Sequence, residues 1–149
     1  MMLAIVRPDG WDFPLFVHVA GAMLLVAALA IVLVLGGVGL RRGDGTAELT
    51  HLAFRGLLIG VIPAYIVMRV GAEWIASKAE WGEPAWINLG YSTADGGLLL
   101  AIIATVLAWR AAKRGDAGPG GMGRAVVVLA GILMVAYVVA IWAMTTKPN

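Results

Sequence analysis

The chain contains no cysteine. Disulfides, thiolate zinc sites, cysteine-ligated iron–sulfur clusters and cysteine nucleophiles are therefore excluded, and only non-thiol metal sites stay open. Charge is nearly as scarce. Of 149 residues, 13% are charged, about half the share of an average soluble domain. Histidine occurs only twice. No Ser–His–Asp or metalloprotease spacing is present, so hydrolytic enzyme chemistry has little support.

What the chain has instead is apolar sequence, at 61% of residues. Its length fits one compact unit rather than two domains. The apolar residues form long runs and not the alternating stripes of a soluble core. Four runs stand out: Phe13 to Val38, Leu52 to Ala76, Asp95 to Ala112 and Ala125 to Met144. A helix needs roughly 20 mainly apolar residues to cross a bilayer. Backbone groups find no water in the hydrocarbon, so each run should be helical. The third is the shortest and suffices if Trp109 and Arg110 sit at the interface. The expected fold is all-α: a polytopic membrane protein built as a four-helix bundle. The first run is longer than the apolar core of a signal peptide and has no convincing cleavage site after it, so it is expected to stay. Asp12-Phe13-Pro14 reads as its start, with Asp12 as N-cap and Pro14 in the first turn.

Orientation follows from the basic residues. Arg41, Arg42, Arg55, Arg110, Lys113, Arg114 and Arg124 flank the two loops on one side, whereas Arg7, Lys78 and Lys147 lie on the other. The positive-inside rule places the first group in the cytoplasm and both termini outside. The expected location is the inner (plasma) membrane of a bacterium. Trp11, Trp74, Trp81, Trp86 and Trp142 then map to the outer boundary and Trp109 to the inner one, as an interfacial aromatic belt would. The amphiphilic segment from Ser77 to Tyr91 is expected to lie along the outer surface as a short helix broken at Pro84.

The isoelectric point near 9.3 does not call for nucleic acid, because the positive charges flank spans where anionic lipid attracts them. The expected partners are the lipid bilayer and, beyond it, a second copy or a subunit of a membrane complex. Gly118 to Gly123 spells GxGxxG but lies between two membrane runs with no strand before it, so a dinucleotide site is not expected. Arg42-Gly43-Asp44 and Arg114-Gly115-Asp116 each read as a basic stop followed by a glycine turn. Gly115 to Gly123 reads as a flexible linker.

Ionisable residues inside the spans are costly in lipid and are candidate site residues for that reason. Arg69 and Glu73 lie four apart on one face of the second run, with Tyr65 a turn earlier. His18 lies roughly 7–8 Å below the outer start of the first run, and Asp95 opens the third. His18, Arg69, Glu73 and Asp95 thus converge from three helices at similar depth, with Tyr65 a further candidate one turn back. They could form an outer-facing pocket for a small solute or ion. Equally, Arg69 and Glu73 could neutralise each other, Asp95 could cap its helix in a box with Ser92, His18 could tie two helices together, and Tyr65 could be core.

Haem or copper is a third possibility, and no cofactor is required by the sequence. His51 falls at the inner start of the second run, about a bilayer thickness of ~30 Å from His18, so the two histidines cannot share one iron. His18 with Met68 is the remaining metal pair. Small residues four apart, Ala104 with Ala108, Gly60 with Ala64 and Ala136 with Ala140, should allow close helix approach. Pro63 should kink the second run by freeing a carbonyl one turn earlier.

Three stretches carry a resemblance. His18-Val19-Ala20-Gly21-Ala22-Met23, the segment from Met68 to Lys78 and the ending from Ile141 to Pro148 resemble small bacterial four-helix integral membrane proteins, including the copper-resistance D-like group. That resemblance implies metal handling, with His18 as the matching position, and carries over no catalytic residue. Three functions are therefore open: a solute- or ion-binding membrane protein, a structural or accessory subunit, and a haem- or copper-binding redox protein.

Overall fold

A computed structural model describes residues 9–42, 46–78, 85–114 and 121–146. A 3-10 turn, Asp9–Trp11, leads into α1, Asp12–Arg41. The second span is composite. It starts as α2, Thr46–Arg55, passes through a π-helical turn, Gly56–Val61, and resumes as α3, Ile62–Ala76. The third is α4, Ala85–Arg114, and the fourth is α5, Gly121–Thr146. The described residues thus form an all-helical structure with four helical stretches long and apolar enough to cross a membrane.

The spans pack side by side in a ring. α1 lies against the second span on one flank and α5 on the other; α4 lies against α5 and, through α2, against the second span. One end of the bundle holds the start of α1, the end of α3, the start of α4 and the end of α5, and is called here the termini side. The opposite end carries Arg41, Arg42, Arg55, Arg110, Lys113, Arg114 and Arg124 and is the basic side. α2 meets α4 near the basic side, but α3 and α4 scarcely touch. The seam between them opens toward the termini side.

Lipid tails are as apolar as leucine, so burial alone does not bring such helices together; close packing does. α4 buries Gly90, Ala94, Gly97, Ala101, Ala104, Ala108 and Ala111, at alternating spacings of four and three. α5 answers with Val126, Ala130, Leu133, Tyr137, Ala140 and Ala143. This is the spacing of a coiled-coil seam, and its small side chains let the backbones approach. Large apolar residues such as Met23, Ile59, Leu99 and Val135 point outward, as a lipid-facing surface requires.

α1 and α3 approach more closely still, at a reciprocal crossing. A Cβ added to Gly21 would lie 2.4 Å from the Met68 nitrogen, and one added to Gly71 would lie 2.4 Å from the His18 nitrogen. Each helix sets a glycine against the bare backbone of the other. Farther toward the basic side the contacts are Gly60 on Ala28 and Gly56 on Val32. Across that distance the pairing slips by one residue, which is what the π turn inserts. Ile62 N–H reaches back to the Leu57 carbonyl, five residues earlier. Pro63 follows at once, and having no N–H it cannot serve the Ile59 carbonyl. The disturbance expected from Pro63 thus takes the form of a π turn on its N-terminal side.

Three sequence expectations need correction. Asp12 is the first helical residue and not the N-cap; Trp11 holds that position and makes no side-chain capping bond, because the 3-10 turn feeds straight into the helix. α4 starts at Ala85, so Asp95 lies inside it and neither opens nor caps it. Ser92 lies inside the same helix, so it forms no capping box with Asp95 at a helix start. For the same reason the residues from Ala85 to Tyr91 belong to the third span and do not form a separate surface helix. Trp81, Pro84, Arg7, Lys147 and residues 115–120 lie outside the described residues, as do Gly43 and Asp44.

Candidate functional site

Arg69 is the hub. Its guanidinium pairs with Glu73 at 3.1 Å, within α3, and with Asp95 at 3.3 Å, across the open seam on α4. It also stacks over the Tyr91 ring at 4.6 Å. These four residues follow from helical spacing: Arg69 and Glu73 share a face of α3, and Tyr91 and Asp95 share a face of α4. The cluster closes the seam where the helix backbones do not meet. The side chains of Arg69, Glu73 and Asp95 are 27%, 53% and 66% exposed, so the carboxylates sit at the rim and the guanidinium behind them. In water such pairs are worth at most about 1 kcal/mol each. An unpaired charge at the centre of a span costs roughly 2.5–3.5 kcal/mol, so the pairing matters more the deeper the cluster lies.

Behind Arg69 is a cavity of about 70 Å³, lined from all four spans. His18 and Leu25 of α1, Met68 and Ala72 of α3, Ala94 of α4 and Ala140 of α5 form much of its wall. Tyr137 reaches it from α5. Its hydroxyl occupies the space that a side chain at Gly97 would fill: a Cβ there would lie 2.4 Å from the Tyr137 oxygen.

His18 lines this cavity but is not part of the ion cluster. Its Nδ1–H donates to the Met68 carbonyl at 2.9 Å. A carbonyl can only accept, so Nδ1 carries the proton in this bond. The expected tie between helices is present. It sits at the crossing, where Gly71 leaves room for the His18 backbone.

Of the residues expected to converge, Arg69, Glu73 and Asp95 are in direct contact, and His18 joins Arg69 only through the cavity wall. Tyr65 is buried in the core, at 5% exposure, and does not line the cavity. Met68 is also buried and does line it, with His18. His51 is exposed near the basic side, its ring tilted against Phe54 at 6.2 Å. No group of three or more His, Asp or Glu side chains suited to a metal ion occurs among the described residues. Sequence reasoning missed Tyr91 and Tyr137. Tyr91 is readable as the i−4 partner of Asp95 once the helix is extended back to Ala85. Tyr137 had no such signal, because its place depends on Gly97 in another helix.

The termini side also has a clasp. Lys78 Nζ donates to the Gly10 carbonyl at 2.6 Å and lies 5.7 Å from the Trp74 ring centre, and Phe13 meets Trp74 edge-on at 5.8 Å. It ties the turn before α1 to the end of α3. On the basic side, Lys113 stacks over Trp109 at 4.3 Å. No protein-family model matches the chain, and no curated protein or solved structure is significantly similar to it.

Proposed function

We propose that this chain is a multi-pass protein of a bacterial inner membrane. Its basic side faces the cytoplasm and both ends face outward, and it holds a small solute or cation in the cavity behind Arg69. The observation that carries this reading is the cavity itself, walled by all four spans at the level of Arg69. Its size admits a few waters or a solute of a few heavy atoms, since water in the liquid takes about 30 Å³. Arg69, Glu73 and Asp95 sum to one negative charge, which disfavours an anion at the mouth. His18 lines the same wall as Arg69.

A second reading is favoured by the Arg69–Asp95 bridge: the cluster locks α3 to α4 where packing does not, and the protein serves as a structural or accessory subunit. One experiment separates the two. Purified protein is titrated with ammonium, methylammonium and small neutral amides while its thermal unfolding is followed. The binding reading expects saturable stabilisation by at least one probe, abolished in Ala140→Leu, which fills the cavity without touching the charges. No saturable shift, or a shift that survives Ala140→Leu, would overturn it. The lock reading expects the triple variant Arg69→Leu, Glu73→Gln, Asp95→Asn to lower stability with no probe bound.

A further inference from the structure

The spans differ in how much uncharged helix they offer to lipid. On α4 the uncharged stretch between Asp95 and Arg110 is Gly96 to Trp109, a distance of roughly 22 Å between the two charges at 1.5 Å per residue. On the second span the stretch between Arg55 and Arg69 is Gly56 to Met68, roughly 21 Å. α1 has no Asp, Glu, Lys or Arg from Phe13 to Leu40, and Asp12 and Arg41 stand roughly 44 Å apart. α5 carries no charge from Ala125 to Thr146, roughly 33 Å. A bilayer core is about 30 Å thick. The α3/α4 wall is therefore too short for it, whereas α1, across the ring from α4, is more than long enough.

The short wall faces lipid. Leu99, Ile102, Ile103 and Val106 are exposed on α4, as are Ile59, Ile66 and Val67 on the second span. Its polar boundary is not easily submerged. Glu73 and Asp95 are short carboxylates at the rim, and short side chains cannot snorkel as lysine or arginine can. Above Asp95, α4 continues with Asn88, Tyr91, Ser92 and Thr93, a composition suited to the headgroup layer. We infer that the α3/α4 wall is an interaction surface for a locally thinned bilayer. It gathers phospholipids with shorter acyl chains, while the α1 wall takes longer ones. This does not depend on what the cavity binds.

The test uses two tryptophan reporters in the full chain, with the remaining tryptophans changed to Phe. One keeps Trp109 on α4. The other replaces it with Phe and carries Val34→Trp on the exposed face of α1. Each is placed in 18-carbon phosphatidylcholine containing dibrominated phosphatidylcholine of 14 or 22 carbons, and quenching gives relative lipid binding. Trp109 should favour the 14-carbon lipid at least about two-fold, because mismatch costs fractions of a kcal/mol per Å. The reporter at position 34 should show the reverse preference. Arg110→Leu, which extends the uncharged stretch to Lys113, should move the Trp109 ratio toward one. The same preference at both reporters, or no response to Arg110→Leu, would overturn the inference. Should the tryptophan replacements prevent folding, lipids retained by the unmodified protein from a mixed-chain bilayer are weighed by mass spectrometry. Enrichment of the 14-carbon lipid would support the short wall, and its absence would reject it.

Discussion

At the scale of single residues, glycine decides as much as charge does. Gly71 leaves space for the His18 backbone, and Gly21 does the same for Met68. Neither neighbour is a flexible tip that could swing aside, so an added methyl must push α1 and α3 apart. Gly71→Ala is expected to cost about 1–3 kcal/mol, the range for overpacking a filled site. It should also weaken the His18–Met68 bond. Unfolding in detergent measures the first effect, and the histidine Nδ1 proton signal measures the second. A variant with unchanged stability and an unchanged signal would remove the crossing as a structural element. Gly37, where a Cβ meets nothing within 4 Å, supplies the matched control. Arg69, Glu73 and Asp95 were legible as costly residues on two helices. That Arg69 serves both carboxylates was not, since it depends on how α3 and α4 face each other.

At the scale of elements, the four spans were readable because long apolar runs leave the backbone no alternative to helix. Their limits were harder to read. The polar residues before Asp95 look like a loop and cap, but a helix in the headgroup layer keeps its backbone bonds and tolerates polar side chains. The π turn was half legible. Pro63 marked the place, but the one-residue slip depends on packing against α1. Because a π turn holds one residue more than the α-helix needs, deleting exposed Leu58 should convert it to α-helix and leave the protein folded. Deleting exposed Val67, within regular α3, should instead rotate the Met68–Gly71 face away from α1. The yield of monodisperse, heat-stable protein compares the two. Equal loss in both would show that the π turn does not absorb the register change.

For the whole molecule, the arrangement of charge sets the expected orientation. Seven basic residues gather at one end of the bundle, and a cytoplasmic position for that end predicts an outward C-terminus. Alkaline phosphatase fused after Asn149 should be active and a fluorescent protein at the same point dark; the reverse pattern would invert the topology. The composition made four long apolar helices plain, and the basic residues between them gave an expected direction. The cavity was not foreseeable in detail, because it exists only where α3 and α4 diverge while α1 and α5 stay packed.

The hydrogen bond from His18 Nδ1 fixes more than one side chain. It pins a ring of α1 to the backbone of α3, at the crossing where Gly21 and Gly71 let the two helices touch. The same ring lines the cavity. Any separation of α1 from α3 would therefore move a piece of the cavity wall, so the width of the crossing and the shape of the cavity cannot change independently.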